Sequence, residues 1–155
     1  MSVDKEDYLT DIKSVPIFKN LDDDDIRKIL KLAFVKEYGA GFHLFKEGMK
    51  GGIMYVILRG AAEIYIMDSS NNKKVLATIG YNSYIGEMSI IEETTRSASC
   101  RVVKPSVMLV MTKKCFDEIQ QNYPIIGIKI LKGILTTVSD RLRKCNEHLN
   151  EKKQV

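Results

Sequence analysis

Tyr84-Ile85-Gly86-Glu87-Met88-Ser89-Ile90-Ile91-Glu92-Glu93-Thr94-Thr95-Arg96-Ser97-Ala98-Ser99 sets one glycine, one acid and one arginine among apolar residues, with Glu87 and Arg96 nine positions apart. These residue types suit a small ligand that carries both a hydroxyl and a phosphate. An arginine offers planar paired donors to phosphate oxygens. An ionised glutamate accepts the hydrogen of a sugar hydroxyl, and backbone amides at the start of a short helix after Gly86 can point at an anion. Taken alone, a Glu and an Arg at this spacing more often form a surface ion pair.

Around this stretch, from about Ala33 to Met111, short apolar or alternating runs are separated by glycines and polar turns, as in an all-β roll or barrel. Eight strands are predicted, near residues 33–38, 42–46, 53–58, 61–67, 73–79, 83–86, 98–104 and 106–111. In the fourth, Ala62, Ile64 and Ile66 share one face and Glu63, Tyr65 and Met67 the other. Asp68-Ser69-Ser70-Asn71-Asn72 is a turn into the fifth. Gly39, Gly41, Gly48, Gly51, Gly52, Gly60 and Gly80 fall at corners.

Helical signals occupy both ends. Ile26, Ile29, Leu30 and Ala33 recur at helical spacing after Asp22-Asp23-Asp24-Asp25, whose acids suit the positive end of a helix better than a cation site. Thr112 can cap a helix through Phe116, Ile119 and Gln120, and Pro124 suits the first position of the next. In that last helix Ile128, Leu131, Leu135, Val138, Leu142, Cys145 and Leu149 form a heptad pattern, beside a second stripe of Ile126, Ile130 and Ile134. One stripe can pack on the roll and the other on a partner chain. Gly127 and Gly133 each weaken an isolated helix by about 1 kcal/mol relative to alanine, so tertiary or dimer contacts must support it.

Gly41-Phe42-His43-Leu44-Phe45-Lys46-Glu47-Gly48, then Met54-Tyr55-Val56-Ile57-Leu58-Arg59-Gly60, then the 84–99 stretch resemble in order the cyclic-nucleotide-binding domain family, over about residues 15 to 145. That family includes bacterial catabolite activators, protein-kinase regulatory subunits and cyclic-nucleotide-gated channels. The resemblance implies a mainly β fold with flanking α: an eight-stranded antiparallel β-roll (double-stranded β-helix, jelly-roll-like) with N-terminal helices and a long C-terminal helix. A single domain over residues 1–155 would divide into N-terminal helices (1–32), roll (33–111) and C-terminal helices (112–150).

By the same resemblance, Glu87 binds the ribose 2'-hydroxyl of cAMP or cGMP and Arg96 the cyclic phosphate, while Gly86, Met88, Ser89, Ser97 and Ala98 complete the ligand-binding set. Ser97 matches the serine of the catabolite activator, a slight lean toward cAMP. Thr94-Thr95 replaces a small residue and proline common in relatives, and Ser89 a common alanine, departures that bear on affinity. Thr136 and Thr137 are possible base contacts if the last helix folds over the pocket; the alternative is that they bond their own backbone. Signalling would be allosteric, through Met88, Ile90 and Ile91 to the C-terminal helices. The activator's last helix forms a dimer seam, which implies a homodimer here through the heptad stripe, with a monomer whose helix covers its own core as the alternative. A parallel dimer would bring two Cys145 thiols close.

Other functions fit less well. The net charge of +4 is modest and scattered, and the basic group Arg141, Arg143 and Lys144 reads as a solvated helix face rather than a DNA footprint. Three cysteines without metal-ligand spacing suggest neither disulfides nor zinc. With two histidines in unrelated segments, His43 and His148, neither cupin-type metal chemistry nor a Ser-His-Asp triad is supported, and no metal or cofactor beyond the nucleotide is expected. The N-terminus lacks a secretion signal and no apolar run approaches the roughly 20 residues of a membrane span, which indicates a cytoplasmic protein. No helix-turn-helix comes after Leu149. The chain therefore reads as a stand-alone sensor acting on an unknown effector protein, with a truncated Crp-type regulator or a ligand-free interaction module as alternatives. Retention of both anchor residues argues against the last.

Overall fold

A computed structural model describes residues 5–153 of the chain. Two 3-10 turns, Lys5–Tyr8 and Pro16–Phe18, flank α1 (Leu9–Ser14), and α2 (Asp23–Leu32) comes next. The strands are β1 (Phe34–Tyr38), β2 (His43–Phe45), β3 (Ile53–Met67), β4 (Lys73–Gly80), β5 (Tyr84–Ile85) and β6 (Ser99–Thr112). A short α3 (Glu87–Ile91) interrupts them, and α4 (Lys113–Asn122) and α5 (Pro124–Lys153) close the described chain.

The antiparallel roll with flanking helices is as expected, but it has six strands rather than eight. β3 absorbs the runs at 53–58 and 61–67, and β6 those at 98–104 and 106–111. Gly60, at φ +91°, bends β3 without ending it. Opposite, the Ser106 hydroxyl accepts from the Ala61 amide at 3.1 Å, and the β3–β6 ladder continues through register shifts from Ile57 to Ala62. Gly60 reads as a corner in the sequence; in the structure it lies close against Pro105 and Ser106 of β6, where the ladder shifts register, so the two strands run on past it together. The order is β1-β6-β3-β4, with β2 on β6 and β5 on β3.

Side chains alternate across β3 and β6, and both faces are buried. Met54, Val56 and Leu58 of β3, with Leu109 and Met111 of β6, join a core shared with the helices. Tyr55 and Ile57, with Met108, Val110, Cys100 and Val102, fill the inside of the roll. This explains the unbroken apolar run from Ile53 to Leu58, which a sheet wet on one side would not need.

The helix ends agree with the sequence signals. Asp22 accepts from the Asp25 amide at 2.8 Å in a capping box, and Thr112 from the Cys115 amide at 3.1 Å. Pro124 opens α5. Ile126, Ile130 and Ile134 of α5 are buried in the helix-side core, and Lys129 Nζ reaches Asp25 Oδ2 at 2.9 Å. The heptad stripe stays outside: Ile128, Leu135, Leu142, Leu149 and Cys145 are exposed, while Leu131 and Val138 are half-buried. Beyond Val138 every residue through Lys152 is exposed.

At Gly133, α5 passes directly over the Pro16–Phe18 turn, where an added Cβ would lie 2.6 Å from the carbonyl oxygen of Ile17. Alanine is the better helix former, yet here it meets rigid backbone. Gly133→Ala is therefore expected to destabilise the protein by about 1–3 kcal/mol, the usual range for overpacking, measured by urea unfolding; equal or greater stability would refute the close crossing.

Candidate functional site

β5 ends at Ile85, and Gly86 then takes a left-handed backbone, φ +90°, to turn the chain into α3. A side chain here is excluded twice over: the conformation strains L-residues, and a Cβ would sit 2.5 Å from the Ile53 carbonyl oxygen and 2.6 Å from Arg96 Nη1. Glycine is what lets the guanidinium come this close to the turn. The return loop is tied to the upstream glycine-rich segment, since the Arg96 amide donates to Met49 O and Arg96 O accepts from the Gly48 amide, both at 2.8 Å. The two motifs quoted from the sequence thus form one structure.

The side chain of Arg96 is buried at 8% exposure. Nη2 donates to the Ile53 carbonyl at 2.6 Å and the guanidinium lies 4.0 Å from the Phe45 ring centroid. Nε has no hydrogen-bond partner, and among the described residues the guanidinium makes no salt bridge. Desolvation lowers its pKa, opposed by Tyr55, Cys100 and Glu87. A buried guanidinium with an unmet donor and no counter-ion is costly unless an anion joins it.

Glu87, the first residue of α3, is buried at 7% exposure. Its Oε1 accepts from Arg141 Nη1 of α5 at 2.9 Å. The Arg141 guanidinium also lies 5.5 Å from the Tyr84 ring centroid. Burial pushes the Tyr84 phenol up, with nearby Thr137 and Arg141 pulling it down, and its buried hydroxyl lacks a partner of good hydrogen-bond geometry.

These groups surround a cavity of about 670 Å³, within the size range of small-molecule sites. All seven ligand-binding residues read from the sequence line it: Gly86, Glu87, Met88, Ser89, Arg96, Ser97 and Ala98. Phe45, Ile64, Ala77, Ile79, Tyr84 and Ile85 add an apolar wall from four strands, and Thr94, Thr95 and Arg141 complete the lining. The Ser89 hydroxyl donates to Gly86 O at 2.8 Å, bracing the turn. Thr136 and Thr137 donate to Lys132 O and Gly133 O one turn back, at 2.9 and 3.1 Å, and are not among the lining residues. The α5 residue at the cavity is instead Arg141, assigned from sequence to a solvated face with Arg143 and Lys144. Its spacing of seven from Ile134 puts it on the buried stripe, the signal that would have found it. The strand residues of the wall carry no local signature, because pairing alone brings them together.

Among the described residues no three His, Cys, Asp or Glu side chains cluster to hold a metal, and no helix is long and apolar enough to cross a membrane.

The chain is 24% identical over 136 residues to cGMP-dependent protein kinase 2 of Mus musculus, covering 86% of this chain and 18% of the kinase. It is 22% identical over 139 residues to the cyclic AMP receptor protein of Thermus thermophilus, covering 90% of this chain and 62% of that one. It therefore spans less than two thirds of either relative. In fold it is similar to a cyclic nucleotide-binding domain from Methylobacillus flagellatus, with a TM-score of 0.83 at 23% identity, covering 95% of this chain and 85% of the other. Residues 35–123, which include nearly all of β1 and the rest of the roll through β6, the α3 turn and the loop carrying Arg96, match the cyclic nucleotide-binding domain as a family, and the chain belongs to that family.

Proposed function

We propose that this chain is a cyclic nucleotide sensor that signals allosterically through its C-terminal helices. The observation that carries the reading is Arg96: a buried guanidinium with an unmet Nε donor, at a cavity whose lining also holds a buried carboxylate. Arg96, Arg141 and Glu87 leave one positive charge in excess, which suits the single negative charge of a cyclic phosphate without a metal. Glu87 takes the ribose hydroxyl, and the apolar wall of Ile64, Ala77 and Ile79 receives the flat faces of sugar and base. Ser97 favours cAMP over cGMP.

Ligand-driven movement of α3 would reach the helices through Ile90, which is buried with Phe116, Ile119, Ile126 and Ile130; Met88 and Ile91 are largely exposed. The response depends on ligand affinity differing between two arrangements of α4 and α5. The exposed heptad stripe of α5 supports a homodimer through Ile128, Leu135, Leu142 and Leu149. An effector protein would read the change, and we assign the sensor to the cytoplasm.

Titration calorimetry with cAMP and cGMP tests the site. Wild type is expected to bind both, cAMP more tightly, and Arg96→Ala to lose about 2–5 kcal/mol of binding with its melting temperature retained. No heat from wild type at millimolar nucleotide would refute the sensor reading. Sedimentation tests assembly: wild type is expected as a dimer, and Leu135→Lys with Leu142→Lys as a monomer. A wild-type monomer at high concentration would exclude the seam.

A further inference from the structure

Phe45, the last residue of β2, is buried at 7% exposure, and the Arg96 guanidinium sits over its ring, 4.0 Å from the centroid. The ring is itself held in place. Tyr55 lies 6.3 Å from it, centroid to centroid, and Tyr38 stands edge-on to Tyr55 at 6.1 Å, so Phe45 belongs to an aromatic cluster inside the roll. Phe45 pairs with Cys100 of β6, and three residues after it the Gly48 amide donates to Arg96 O at 2.8 Å. Ring and arginine are thus carried by backbone segments tied to one another. Two contacts set where the guanidinium points, the bond from Nη2 to the Ile53 carbonyl at 2.6 Å and the ring. A leucine at position 45 would fill much of the same space but give the charge nothing. A carboxylate would hold a buried cation more strongly but would cancel its charge. An aromatic face is negative without carrying a net charge, so it steadies the guanidinium out of water and leaves the positive charge free for an anion.

We infer that Phe45 is a positioning residue of the nucleotide site: its ring takes the place of a counter-ion, holding the Arg96 guanidinium charged and oriented before the cyclic phosphate arrives. Its part in binding rests on the function proposed above. Burial of an unpaired guanidinium is unfavourable in the empty site, and a desolvated cation over a ring offsets part of that penalty. Without the negative face the guanidinium would leave its place in the empty protein, and the nucleotide would have to restore it at the expense of affinity.

The test uses the full chain with phenylalanines of graded fluorination at position 45, which keep the shape of the ring while withdrawing electrons from its face. Calorimetry with cAMP is expected to show affinity falling stepwise from phenylalanine through the trifluoro to the pentafluoro side chain. The fall at the last step should reach about 5- to 30-fold, the span of a cation–ring contact out of water, with a similar fall in Phe45→Leu. In the nucleotide-free protein the Arg96 Nε–Hε NMR signal is expected to be displaced upfield by the ring current and to lose that displacement in Phe45→Leu. Equal cAMP affinity across the fluorinated series, with loss in Phe45→Leu alone, would mean that Phe45 only fills space. Tighter binding on fluorination would mean that the ring competes with the phosphate for the guanidinium. Either result overturns the positioning role, and an Arg96 signal unchanged in Phe45→Leu would overturn the contact itself. Failure of wild type to bind cAMP or cGMP at all would overturn the proposed function instead, and leaves the Arg96 signal to judge the hold of the ring on the guanidinium.

Discussion

A guanidinium kept almost entirely out of water, with one backbone carbonyl and one aromatic face for company, is the constraint around which this structure is arranged. Arg96 can occupy that position because Gly86 has no side chain, because Ile53 at the start of β3 turns its carbonyl toward it, and because the Phe45 ring of β2 lies against it. Three separate segments are committed to one side chain. Burying a charge in this way lowers stability unless the charge is paired, and the Arg96 Nε stands without a hydrogen-bond partner.

The rest of the roll makes that position rigid. β3 and β6 are buried on both faces, one toward the helices and one toward the inside of the roll. Together they carry the strands that supply most of the cavity wall, since β2 pairs with β6, and β4 and β5 pair with β3. The α3 turn is joined to the helical layer through Ile90, so a shift of that turn is a shift within a packed core. The apolar interior also keeps Cys100 and Cys115 inert, with burial pushing their thiols up to about 12 and about 11, while Cys145 lies exposed on α5.

Much of this fold is legible in the sequence, for reasons that can be given residue by residue. The capping acids before Ile26 and Thr112 before α4 act through bonds to amides three positions away, and Pro124 at the start of α5 through its own fixed φ, so local sequence carries such information. The split of α5 into a stripe at Ile126, Ile130 and Ile134 and another at Ile128, Leu135 and Leu142 is a matter of helical period, and the first stripe is the one that packs on the core. The strand count is six rather than the expected eight because glycine and proline look alike in a turn and in a bulge. Gly60 ends a strand unless a partner continues the ladder past it, and β6 does so.

What the sequence alone determined is the set of chemical types and their local geometry: an acid after a left-handed glycine, an arginine nine residues on, and helices that begin where their caps stand. The tertiary structure decided which of those groups meet. Arg96 and Ile53 are 43 residues apart, and Arg141 and Glu87 are 54. No local preference specifies such pairs, since each exists only after β3 and β6 have paired and α5 has crossed the 3-10 turn at Gly133. A guanidinium read as one more basic residue on a solvated helix lines the cavity because the chain, once folded, left a buried carboxylate opposite it.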